Sequence, residues 1–171
     1  MGMIQKDLIK NGGRIMKRLV AYFSAEGNTK RVAERLAAAA GADIFEIRPK
    51  VPYTAADIRW TNPLARCNRE KLGKKDVPIA RKLENPGDYD IIFLGFPIWY
   101  YGAPNIIQTF LKENDLSGRR IALFATSGGS DMGRTAEKLE PYLDPGARIV
   151  ASRLFSPAAG EAELLSWAEG I

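Results

Sequence analysis

Three unbroken apolar runs constrain this chain more than anything else in it: LVAYF at 19–23, DIIFLGF at 90–96 and RRIALFA at 119–125. None is long enough to cross a membrane as a helix, which needs roughly 18 residues or more. None alternates polar with apolar, as a strand with one wet face would. Strands apolar on both faces belong to parallel sheets covered by helices on both sides. Helical spacing fills the gaps between them. Val32, Ala33, Leu36, Ala37 and Ala40 share one helical face and Gly41 stands at its end. Helices are also expected over about 62–72, 104–112, 131–142 and 161–169, with further strands over 42–47 (partly exposed, at an edge) and 148–155. Strands alternating with right-handed helical crossovers predict an α/β fold, a three-layer doubly wound sandwich on a five-stranded parallel sheet. In such sheets ligands bind beyond the carboxyl ends of the strands, where strand order reverses.

The 171 residues suit a single domain over 16–171. Residues 1–15, MGMIQKDLIKNGGRI, read as an extension, either an arm without fixed structure or residues ahead of a natural start at Met16. They lack the apolar core of a signal peptide. Prolines at 49, 52, 63, 78 and 86 break up the segment between the second and third strands, which reads as an elaborated crossover.

Composition removes several chemistries. Histidine is absent, so histidine acid–base work, serine–histidine triads and the usual zinc sites have no ligand or base. Cys67 is the single cysteine, which forbids an intrachain disulfide and is in keeping with a reducing, cytoplasmic setting. A cysteine phosphatase loop would need an arginine where Gly73 stands. The net charge is +5, yet 48–82 alone carries +7 and the rest of the chain −2. That segment is either a solvated basic face or a surface for an anionic partner. No nucleic-acid motif accompanies it.

The loops after strands one, three and four are unusual. SAEGNT (Ser24, Ala25, Glu26, Gly27, Asn28, Thr29) places hydroxyls, an amide and a glycine ahead of a helix. Unpaired amides and the helix dipole there favour an anion such as a phosphate monoester, while Ser24 or Asn28 could equally cap the helix. PIWYYGA puts Pro97, Ile98, Trp99, Tyr100 and Tyr101 after a central strand, where a loop is ordinarily polar. These aromatic residues either stack on a planar ring or fold back onto the core. Gly102 either lets its peptide approach a ring edge or turns the chain. TSGGS (Thr126, Ser127, Gly128, Gly129, Ser130) offers small residues and backbone donors, suited to the edge of a ring or to a plain turn and cap.

Phosphate cup, aromatic plate and polar edge together suit flavin mononucleotide (FMN). SAEGNT resembles the phosphate loop of the flavodoxin-like family, GFPIWYYGAP its flavin-stacking loop and ATSGGS its third flavin loop. The likeness runs from Met16 to the C-terminus. It implies sheet order 2-1-3-4-5, with strands one, three and four as neighbours. It also implies phosphate contacts from Ser24 to Thr29, ring contacts from Pro97, Ile98, Trp99 and Tyr100, a ring-edge contact near Gly102, and pyrimidine-edge contacts from Thr126 to Ser130. Two features depart from the family's electron carriers: no aromatic residue stands in the third loop, and this chain is basic where they are acidic. The family's phosphate loop also commonly carries threonine where Ala25 or Glu26 stands. A dinucleotide fold would need GxGxxG and a nucleoside triphosphatase GxxxxGK[ST], and neither occurs. A response regulator would end its third strand in aspartate, where Gly95, Phe96 and Pro97 stand. The expected roles are an NAD(P)H-linked reductase of a quinone-like or other small acceptor, a one-electron carrier between redox proteins, or a flavin-binding module without activity of its own.

Overall fold

A computed structural model describes residues 10, 11 and 14–171. The expectation for the rest of the 1–15 extension lies outside the described residues. Within it, Lys10–Asn11 and Arg14–Ile15 form a short antiparallel pair.

The main sheet has five strands: β1 (Arg18–Tyr22), β2 (Asp43–Glu46), β3 (Ile91–Pro97), β4 (Arg120–Thr126) and β5 (Arg148–Leu154). All neighbours run parallel, in the order β2-β1-β3-β4-β5. The helices are α1 (Asn28–Ala40), α2 (Arg66–Leu72), α3 (Asn105–Glu113), α4 (Thr135–Leu139) and α5 (Glu161–Glu169). The architecture is the doubly wound sandwich read from the apolar runs.

The alternation of side chains along each strand makes two cores. Leu19, Ile92, Leu94, Phe96, Ile121 and Leu123 face one way and meet Ile106, Ile107 and Phe110 of α3. Val20, Tyr22, Ile91, Phe93 and Phe124 face the other way and meet Val32 and Leu36 of α1 and Leu164 of α5. A strand buried on both faces has no use for polar positions, which is why these runs are continuous. The outer strands differ. β5 is largely exposed, and of β2 only Phe45 is buried.

Two elements are shorter than their patterns predict. The helix expected over 131–142 is α4 followed by a 3-10 turn at Glu140–Tyr142, with Pro141 inside that turn. Proline lacks the N–H that would continue an α-helical ladder. The helix expected near 62–72 begins at Arg66, because the residues before it form turns closed by Asn62 N–H to the Arg59 carbonyl and Ala65 N–H to the Asn62 carbonyl.

The crossover between β2 and β3 is anchored at its base. Lys50 and Ala80 donate backbone N–H groups to the carbonyls of Pro78 and Arg48, and Ile47, Val77 and Ile79 are buried beneath. Buried Asn105 donates to the carbonyls of Glu70 and Lys75 at 2.9 and 2.8 Å, tying α2 to the start of α3. These bonds bring α2 alongside the loop that follows β3.

Candidate functional site

The loops after β1, β3 and β4 surround one cavity of about 640 Å³. That lies within the range of small-molecule and cofactor sites, roughly 300–1,000 Å³. Ser24, Ala25, Glu26, Asn28 and Thr29 line one end, Pro97, Ile98, Trp99 and Tyr100 a wall, and Thr126 to Ser130 an edge. Gly27 and Gly102 stand apart from the cavity wall.

At the first end, Gly27 sits at the N-cap of α1 with φ of 93°, a left-handed conformation that glycine adopts without steric penalty. Its N–H donates to Ser24 Oγ at 3.1 Å, which closes the loop on itself. No side chain caps α1. Asn28 is already helical, and its side-chain Oδ1 accepts from the Arg31 guanidinium. A helix N-terminus without a cap keeps its donors and its positive dipole end for something else. Thr29 is buried, and its hydroxyl shares a 2.8 Å hydrogen bond with that of Thr126. This bond joins the first loop to the third.

The second loop is a tight turn. Trp99 and Gly102 exchange backbone hydrogen bonds, N–H of each to the carbonyl of the other, at 2.8 and 3.2 Å. Tyr100 and Tyr101 between them have φ of 52° and 61°. Asparagine and glycine usually fill such positions, because a Cβ in the left-handed region costs about 1–2 kcal/mol per residue. Both the N–H and the carbonyl of Gly102 turn back to Trp99, which closes the turn. Lys71 Nζ donates to the Ala103 carbonyl at 2.8 Å and Lys138 Nζ to that of Tyr101 at 3.3 Å. Burial holds the Lys71 ammonium below its ordinary value, and the charge of Lys138 adds to this.

Trp99 folds back in part onto the core. It packs edge-on against Phe23 and Tyr53, with ring centroids 5.6 Å away in each case, and still contributes to the cavity wall. Tyr53 is held in turn by a hydrogen bond to Glu70, by Arg66 4.0 Å above its ring, and by the Arg66–Glu70 ion pair. Burial, then the Glu70 carboxylate, pushes the Tyr53 hydroxyl well above the usual phenol range. A tryptophan so braced presents a fixed surface to the cavity.

In the third loop, Ser127 Oγ accepts the N–H groups of Gly129 and Ser130 at 3.1 and 2.8 Å. Two of the expected edge donors are therefore turned inward. No side chain lies within 4 Å of where a Cβ on Gly128 or Gly129 would stand, so this wall is open.

The crossover supplies lining residues that the loop motifs did not reveal: Ile58, Trp60 and Cys67, joined by Tyr101 and Pro157. Trp60 is 73% exposed. Its segment is fixed by buried Asn68, which donates to the carbonyls of Trp60 and Asn62 at 2.9 and 2.6 Å, and by Cys67 N–H to the Asp57 carbonyl at 2.9 Å. A tryptophan in a proline-broken loop is the same signal that marked the second loop. Burial pushes the Cys67 thiol up, and its hydrogen bond with the Tyr100 hydroxyl works against this. Among the described residues, no cluster of His, Cys, Asp and Glu could hold a metal ion, and no helix is long and apolar enough to cross a membrane.

The sequence model of the flavodoxin family matches residues 17–171. Among solved structures, a candidate flavoprotein from Bacteroides eggerthii is similar with 42% identity and a TM-score of 0.81, over 91% of this chain and 97% of that one. A flavoprotein from Lactobacillus acidophilus, solved in complex with FMN, shares the fold at 22% identity and a TM-score of 0.68, over 90% of this chain and 99% of that one. Flavodoxin 1 of Salmonella typhimurium is 31% identical over 88 residues, 46% of this chain and 49% of that protein. The chain thus spans about half the length of the curated relatives it matches.

Proposed function

This chain belongs to the flavodoxin family, and we propose that it holds FMN in this cavity and carries reducing equivalents from NAD(P)H to a quinone-like or other small acceptor. The observation that carries the reading is the meeting, in one cavity of about 640 Å³, of an uncapped helix N-terminus and a braced aromatic wall. FMN supplies the hydride and electron chemistry when bound. The protein's part is to bind and orient it. The amides of 24–29, apart from that of Gly27, which Ser24 holds, and the Asn28 side chain take the phosphate. Trp99 and Tyr100, with Pro97 and Ile98 beside them, take the ring face, and Thr126 to Ser130 take the pyrimidine edge. Trp60 closes the wall on the crossover side. A protein of the same fold binds FMN, which supports this assignment.

The choice of NAD(P)H rests on room and charge. Gly128 and Gly129 leave one wall low, as a second ring approaching the first would need. The basic crossover borders the cavity through Ile58, Trp60 and Cys67, and Arg59 and Arg69 beside them are exposed. A positive rim attracts an anionic dinucleotide. A second reading, electron transfer to a protein partner, is favoured by a different observation: Trp60 and Tyr101 expose 73% and 71% of their surface at the cavity mouth.

Stepwise reduction of the FMN-loaded protein with NADPH, and separately with dithionite, tests the choice. Bleaching of the flavin bands by NADPH with turnover of a quinone is expected. A flavin reduced by dithionite alone, passing through the long-wavelength band of the one-electron-reduced state, would replace the reductase reading with the carrier. Protein that takes up no FMN would end both.

A further inference from the structure

The first turn of α1 is built against its own stability. It contains no acidic residue and no side-chain cap, yet Lys30 and Arg31 both stand in it, exposed. Cations at a helix N-terminus oppose the dipole, and helices usually carry aspartate or glutamate there. Violations of this kind collect at functional sites.

Arg31 is also placed rather than loose. Helical side chains lean toward the N-terminus, and its guanidinium lies 3.5 Å from where a Cβ on Gly27 would stand. It donates to the side-chain Oδ1 of Asn28, and Asn28 lines the cavity. A delocalised cation with five donors is thereby held behind Asn28, one side chain back from the lining at the first end of the cavity.

We propose that Arg31 is the fixed charge of the phosphate site, the residue by which this chain distinguishes phosphorylated FMN from uncharged riboflavin. The inference rests on the FMN reading above. It resolves the conflict in the first turn: the dianionic phosphate pairs with the guanidinium and with the dipole together. The first loop then binds by charge as well as by hydroxyls and amides.

The test is titration of apoprotein with FMN and with riboflavin, by quenching of flavin fluorescence, at low and high salt. Wild-type protein is expected to prefer FMN, and to lose part of that preference as salt rises. Arg31→Gln should weaken FMN about tenfold or more, in line with a lost hydrogen bond to a charged group. It should leave riboflavin binding unchanged and flatten the salt dependence, and Arg31→Lys should recover part of the loss. The apoprotein's melting temperature separates this from a structural role. Arg31→Gln removes an unfavourable charge and should leave the melting temperature unchanged or higher, whereas a structural arginine would lower it. Unchanged FMN affinity and salt slope in Arg31→Gln, or equal weakening of FMN and riboflavin, would overturn the inference while leaving the cavity as an FMN site. Wild-type protein that binds neither flavin would overturn both.

Discussion

Thr29 and Thr126 stand 97 positions apart, and each reads in its own loop as a ligand contact. Their shared hydrogen bond of 2.8 Å is buried and ties the two loops together. A hydroxyl can donate once and accept twice, so this bond leaves each free to accept another donor. Thr29→Val or Thr126→Val alone strands the partner's hydroxyl in a buried place, at a cost of about 1–3 kcal/mol. The double variant removes both groups and is expected to cost less than the sum of the single changes. A double-mutant cycle in urea measures this, and strict additivity would show that the two hydroxyls do not depend on each other.

At the scale of elements, β3 shows how a core strand positions a loop. Gly95 lies opposite Phe124 of β4, and a Cβ there would stand 2.1 Å from the phenyl ring. Phe124 is fully buried and has no room to retreat. Gly95→Ala is expected to destabilise by about 1–3 kcal/mol through overpacking, read as a lower urea midpoint. Gly95 is two residues before Pro97, so the displaced strand end should also weaken FMN binding. The glycine interrupts an apolar run, which in sequence marks a bulge or a close approach without naming what approaches. The crossover was less legible still. Its prolines announced irregular backbone, and its tryptophan could be seen, but Trp60 reaches the cavity only through Asn68 and through the seat of α2 beside α3. Those are contacts between residues whose spacing has no period.

Over the whole molecule, buried phenols predict an alkaline limit to stability. Burial first, then the Glu46 and Glu34 carboxylates, pushes Tyr22 up to about 12. Burial and the hydrogen bond to Asp43 push Tyr89 up to about 12 as well. Both folded values are raised, so the stability these groups contribute is complete below the ordinary phenol value of 10.0. It is lost as pH rises toward 12, because the unfolded chain releases its protons first. Unfolding midpoints are therefore expected to fall between pH 10 and pH 12, and less steeply in Tyr89→Phe, which cannot ionise at that position. A midpoint independent of pH across that range would contradict the buried state of these tyrosines.

The apolar runs by themselves determined the layered sheet, because a strand covered on both faces cannot tolerate polar positions, and this requirement is written residue by residue. The loop motifs likewise determined that something unusual follows β1, β3 and β4, since each is a local departure from ordinary turn chemistry. Tertiary structure alone decided what each group does there. Ser24 closes its own loop, Thr29 meets Thr126, Gly102 turns back to Trp99, and Arg31 leans over Gly27. Hydrogen bonds and close approaches depend on distances across the fold, and composition and periodicity carry no record of those distances.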